Sequence, residues 1–263
     1  DRGITVLPDI LLNAGGVGMS DIRKPGAWRA KGPLAEADPP DHTQVRMAMN
    51  RIFNPGAIKK WRETYQGEAE RLGAKALEAE SFDIVADLVE PYVFFALSSA
   101  LGVELDRDNI IVVGNHSFNS SGPRNDIFYE SLARAEAISD WLEEKRQRSA
   151  MKPGGFGEAV FNAEEAGEIP AGTAHAMLLT LIRGGMDTTV SGLGSSVRLL
   201  AEHPDVWAAM KSDPGLAVQV FEEALRLESP VQGNYRTTAS HEVEFEGFRI
   251  PPETKVLSPD AAA

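Results

Sequence analysis

The sequence predicts a mainly α-helical chain with a small β portion, organised as a single domain over residues 1–263. Three observations predict this. Apolar residues recur at helical spacing through most of the chain, punctuated by Gly and Pro. One such stretch, Ala171 to Glu202, would span roughly 48 Å as a helix, enough to cross a whole domain. Strand-like alternation is confined to the C-terminal end.

Residues 1–32 read as loop, with Ala14-Gly15-Gly16-Val17-Gly18 and isolated prolines. A helix is expected to open at Asp38-Pro39-Pro40-Asp41, with Asp38 as cap, Pro39 at the first helical position and Asp41 at the positive helix end. Asn54-Pro55 opens the next in the same manner, running to about Ala79. Helical patterns follow at 84–101, 104–118, 127–150 and 155–165, broken by Gly102, Pro123, Pro153 and Gly167. After the long segment, which stops at His203-Pro204, helices are expected at 204–211 and 215–228. Val243, Phe245, a turn at Gly247, Ile250 and Val256-Leu257 then resemble a β-hairpin.

Composition narrows the function. The chain is hydrophobic at 43% of positions and carries a net charge of −13, which disfavours nucleic acid and other polyanions as partners. The longest apolar runs, such as Met177 to Ile182, fall far short of the ~20 residues a bilayer requires, and Asp1-Arg2-Gly3 leads into no signal-peptide core. The expectation is a soluble cytoplasmic protein with no membrane partner. No cysteine is present, which removes disulfides, cysteine-ligated zinc, iron–sulfur clusters and a thiolate nucleophile from these residues.

Three constellations stand out. Gly184-Gly185-Met186-Asp187-Thr188-Thr189 lies mid-way along the longest helix, where each glycine costs about 1 kcal/mol relative to alanine. Thr188 is four residues after Gly184, so its hydroxyl can reach that carbonyl and bend the helix. Local rules broken together suggest a site, although the glycines could merely allow a close helix crossing. Glu223 and Arg226 share one face of the 215–228 helix, the usual spacing of a solvated surface pair. His42 and Arg46, also on one face, suit a carboxylate or phosphate.

Their order decides between these readings. Asp-Pro-Pro-Asp-His-Thr-x-x-Arg at 38–46, Gly-Gly-x-Asp-Thr-Thr at 184–189 and Glu-x-x-Arg at 223–226 resemble the cytochrome P-450 family in content, order and separation, and Phe-Glu-Glu-Ala-Leu-Arg-Leu-Glu-Ser-Pro at 221–230 adds to the likeness. The resemblance covers essentially the whole chain. It implies a cytochrome P-450 fold that is incomplete, truncated at both ends and lacking the C-terminal cysteine loop. It also implies haem b, with the iron's cysteine ligand absent here, and electrons delivered by a ferredoxin and its reductase.

Residue by residue, the resemblance implies that His42, Arg46 and Arg236 bind the haem propionates and that Gly184, with Gly185, leaves room above the porphyrin. Asp187 and Thr188 match the acid–alcohol pair that delivers protons during oxygen activation. Glu223 and Arg226 match a pair that is buried and structural. Similarity is greatest to the bacterial subfamily oxidising para-substituted benzoic acids, through Ala14 to Gly18, Trp28-Arg29 and Met151 to Gly157. Pocket positions match Arg29, Gly32, Phe118, Ser121, Thr180 and Arg183. Gly32 and Arg183 stand where that subfamily has small hydroxyl residues, and Ser121 where it has an aromatic. The expected pocket is therefore wider, with its anion anchor at Arg183; the competing reading pairs Arg183 with Asp187 on the helix surface. Two other functions compete with the monooxygenase: a haem-free helical fragment or binding protein, and a hydrolase using Asp187 with His116 or His175.

Overall fold

The computed structural model describes residues 33–34, 37–120, 123–231, 233–238 and 240–259. Helices dominate, followed by two small two-stranded antiparallel sheets. Arg29, Gly32 and Ser121, named from the resemblance, lie outside the described residues, and Arg236 is described only as backbone.

Helix α1 (Asp41–Ile52) begins later than Asp38 would make it, because Pro39 and Pro40 lack N–H groups. Asp38 contributes its backbone carbonyl, which accepts from the His42 N–H at 3.0 Å, and its side chain caps nothing. In α2 (Pro55–Glu78) the Asn54 side chain accepts from the Ala57 N–H at 3.0 Å, with Pro55 at the first helical position. Asn54→Ala is expected to lower stability by about 1 kcal/mol in denaturant unfolding, with the slope unchanged.

The 84–101 segment divides into a π-helical turn, Ile84–Val89, and α3 (Glu90–Leu101). Asp83 caps the turn, accepting from the Val85 and Ala86 N–H groups at 2.8 and 2.9 Å. The sequence count of apolar runs misses this stretch. Ile84–Leu101 is continuous helix of 18 residues with mean hydropathy 1.6, long and apolar enough by composition to cross a membrane. It includes Asp87 and Glu90, and it meets the core through Val89, Val93 and Leu101.

Helix α4 (Arg107–Asn119) is followed by α5 (Asp126–Ala137) and α6 (Ser139–Lys145). The expected 127–150 helix breaks at Ile138, where the Ser139 hydroxyl donates to the Glu136 carbonyl at 2.9 Å and competes with the backbone ladder. Helix α7 (Phe156–Glu165) leads to the long segment, which is not one helix. Gly172, at φ +82°, delays its start, and Met186 divides it into α8 (Thr173–Gly185) and α9 (Asp187–Glu202). Helices α10 (Pro204–Ser212) and α11 (Ala217–Glu228) follow, with α11 packed on α9.

The β portion is larger than the alternation suggested. Strands β2 (Val243–Phe245) and β3 (Phe248–Ile250) form the hairpin, turned by Glu246 and Gly247, both at positive φ. Val256 and Leu257 do not extend it. Pro251 and Pro252 interrupt the ladder, and β4 (Lys255–Pro259) pairs instead with β1 (Gly233–Thr237), placing Arg236 opposite Val256. The core gathers where α4, α6, α7 and α8 meet: Ile110, Val113, Leu142, Val160 and Leu178 are fully buried.

Candidate functional site

The break between α8 and α9 is built by its own residues. The Thr188 hydroxyl donates to the Gly184 carbonyl at 2.7 Å, reaching back four residues as the sequence spacing predicts. The two glycines differ in role. A side chain at Gly185 would come within 2.7 Å of Leu97 on α3, so this glycine permits a close helix crossing. Gly184 is exposed and nothing lies within 4 Å of the position its Cβ would take. The crossing explanation therefore accounts for one glycine and leaves the other facing open space.

Asp187 opens α9 and turns its carboxylate onto the backbone of α4, where a Cβ on Gly114 would lie 2.2 Å from an Asp187 carboxylate oxygen. Burial, followed by the negative charge of Glu90, pushes this carboxyl up from 3.8 to about 6. The folded form therefore resists ionisation: the cost is absent below the ordinary carboxylate range, grows through roughly pH 4–6, and is complete above. Discounted for partial solvent access, Asp187→Asn is expected to raise stability by about 1 kcal/mol at pH 7.5 and to change nothing at pH 3.5. Thermal unfolding at the two pH values checks this.

Arg183 does not form a salt bridge with Asp187. It is half-buried, and its Nε donates to the Ser117 hydroxyl of α4 at 2.8 Å. His116, fully buried on α4, meets the Ser131 hydroxyl through Nδ1 at 3.1 Å. Burial, then the charges of Arg183 and Arg124, lower its pKa to about 4, so the ring is neutral at physiological pH. Phe118 is 42% exposed at the end of the same helix. Thr180, half-buried, donates to the Ala176 carbonyl at 3.1 Å. The structure thus brings Arg183, Ser117 and His116 to the boundary of α4 and α8. His175 pairs with Glu143 at 3.2 Å, so neither histidine is arranged as a base for Asp187, and the hydrolase geometry is not formed.

His42 is half-buried and Arg46 exposed, one turn apart on α1, and neither side chain makes a hydrogen bond or ion pair among the described residues. Arg51 on the same helix is bound to Glu168 through both Nη atoms at 3.2 and 2.6 Å. An imidazole and a guanidinium on one helix face, their side chains unpaired among the described residues, fit a ligand that carries carboxylates. Glu223 and Arg226 differ from the buried pair that the resemblance implies. They bind each other bidentately at 2.6 and 2.8 Å, but stay 55% and 51% exposed, because α11 turns them outward and no described segment covers them.

Sequence reasoning missed Gly114, Glu90 and the His116–Ser131 contact. A glycine in mid-helix was the available signal for Gly114; the others depend on helix packing and left no local trace.

No family model matches the chain. Among curated proteins it is 35% identical over 244 residues to cytochrome P-450 CYP199A2 of Rhodopseudomonas palustris, covering 92% of this chain and 59% of that protein. It is 31% identical to cytochrome P-450 107B1 of Saccharopolyspora erythraea, covering 87% and 56% respectively. The chain thus spans a little over half the length of these relatives. The structure of P450BioI, solved with a hexadec-9Z-enoic acid-ligated acyl carrier protein, superposes with a TM-score of 0.79 at 19% identity, over 95% of this chain and 66% of that one. Myxobacterial CYP267B1, solved with myristic acid, gives 0.72 at 26% identity, covering 85% and 56%.

Proposed function

Because the chain is a homologue of the bacterial cytochromes P-450 and has their fold, we propose that it is the oxygen-activating part of a haem-dependent monooxygenase. The enzyme inserts one oxygen atom of dioxygen into a small organic substrate, an aromatic carboxylic acid, by hydroxylation or O-demethylation. The carrying observation is the α8–α9 break. It combines open space at Gly184, a Thr188 hydroxyl tied to the Gly184 carbonyl, and an adjacent carboxyl that holds its proton to about pH 6.

Haem b, when bound, supplies the redox chemistry that activates dioxygen. His42, Arg46 and Arg236 would hold its propionates; that the His42 and Arg46 side chains pair with no carboxylate among the described residues supports this. Gly184 keeps a volume clear that any larger residue would fill. The Thr188 hydroxyl orients a water or oxygen species at that volume, and Asp187 passes a proton inward, the two acting as positioned acid and relay. A thiolate for the iron would have to be supplied by residues other than these 263, which contain no cysteine. A ferredoxin and its reductase supply the electrons, as the resemblance implies.

For the substrate, Arg183 is the anion anchor and Thr180 and Phe118 line the pocket; Arg29, Gly32 and Ser121 are assigned to it by the resemblance alone. Ser117 orients the guanidinium, which keeps the ordering cost of carboxylate binding low. The reduced carbon-monoxide difference spectrum tests the haem assignment. A polypeptide that includes the thiolate is expected to give the thiolate-type Soret band, and the 263-residue chain alone is expected not to. Absence of haem from the longer protein would favour a haem-free binding protein.

A further inference from the structure

The surroundings of Asp187 extend beyond the α8–α9 break to a charged pair that the proposed chemistry has not used. Glu90 is the first residue of α3 and Arg107 the first of α4, and Arg107 Nη2 meets a Glu90 carboxylate oxygen at 2.5 Å. The π-helical turn before Glu90 carries more residues per turn than an α-helix, so it resets the direction in which α3 presents its first side chain. This turn packs on α9, the helix that Asp187 opens. An arginine at a helix N-terminus opposes the helix dipole, so local helix stability does not explain Arg107.

Two identical spacings lead from that pair to the break. On α3, Leu97 is seven residues after Glu90, hence on the same face two turns on, and it touches Gly185. On α4, Gly114 is seven residues after Arg107, and the Asp187 carboxylate lies on it. The two helices therefore converge on the break at one end and are clamped by Glu90 and Arg107 at the other, roughly 10 Å along each axis. We propose that Glu90, clamped by Arg107, is a positioning residue that sets how readily the Asp187 carboxyl holds its proton.

The neighbouring charges define what Glu90 contributes. Arg183 on α8 and Arg107 on α4 are the cationic groups on the elements packed around Asp187, and His116 on α4 is neutral at physiological pH. Asp83 and Asp87 on the π-helical turn are exposed to water, while the Glu90 side chain is 23% exposed and acts through the protein interior. Its charge, after burial, is the influence that raises the Asp187 carboxyl. Arg107 partly offsets that charge and fixes its position. The proposal rests on Asp187 being the proton-passing acid of the oxygen-activating site.

The test is a carbon-13 pH titration of the aspartate carboxyls in the full-length protein, with the Asp187 signal assigned by its loss in Asp187→Asn. Glu90→Gln is expected to move the Asp187 midpoint down by about half a unit, because a negative neighbour is gone. Arg107→Gln is expected to move it up, because Glu90 loses its countercharge, and Glu90→Asp to retain part of the wild-type value. General loosening of the fold would shift both neutral variants in the same direction, so opposite shifts report the charge itself. Shifts in the same direction, or no shift, overturn the proposal. The partition of electrons between product and hydrogen peroxide, followed against pH in the same variants, separates the two ideas. If the titrations shift in opposite directions while the partition ignores them, the electrostatic assignment stands and Asp187 is not the proton-passing acid.

Discussion

Thr188→Ala is expected to leave substrate binding largely intact while diverting electrons from product to hydrogen peroxide, lowering product formed per electron by at least about tenfold. A positioned proton transfer is worth about 10²–10⁴ in rate; the expected loss sits below that range because a water molecule partly replaces the hydroxyl. The structure makes the variant specific. Thr188 spends its hydrogen on the Gly184 carbonyl at 2.7 Å, so its oxygen lone pairs remain to accept a hydrogen bond and orient a guest. The measurement is oxygen and NADH consumed against product and peroxide formed, with substrate affinity read from the haem spin-state shift. Unchanged coupling with unchanged binding would remove Thr188 from the chemistry.

Arg183→Ala is expected to weaken binding of benzoate-type acids by about 10–100-fold and to leave their methyl esters within about twofold. A charge-assisted hydrogen bond contributes about 1.5–3 kcal/mol, which sets this range. The half-buried position of Arg183 keeps the contact from being screened like a surface pair. The Ser117 contact at Nε holds the guanidinium plane, so Ser117→Ala is expected to weaken acids by a smaller factor, in the same direction. Titration of acid and ester pairs against the full-length protein, followed by the spin-state shift, reads both effects. Equal affinity for acids and esters in the wild type would remove the arginine-anchored pocket, and with it the substrate class.

The sequence by itself determined whatever depends on neighbours along the chain. Asn54 caps α2 as its position before Pro55 dictates, Gly247 turns the β2–β3 hairpin, and Thr188 reaches back four residues to Gly184. The order of three short motifs was enough to point to the relatives that the chain resembles, because each reflects a local chemical demand that spacing records. Even so, local rules overestimated continuity. The segment from Ala171 reads as one helix, yet two glycines and a carbonyl-seeking threonine divide it at Met186.

Only the tertiary structure decided what depends on residues far apart. Val256 and Leu257 pair with β1 and not with the hairpin beside them, since strand pairing is chosen by partners that alternation does not name. Arg183 bonds Ser117, 66 residues away, in preference to the aspartate one turn along its own segment. Glu223 and Arg226 stay paired but face outward, because burial depends on what covers a helix face and not on the helix. Asp187 was legible as an acid in an unusual place. Its proton-holding character was not, because desolvation arises where α4 offers Gly114, a residue with no side chain to keep the carboxylate at a distance.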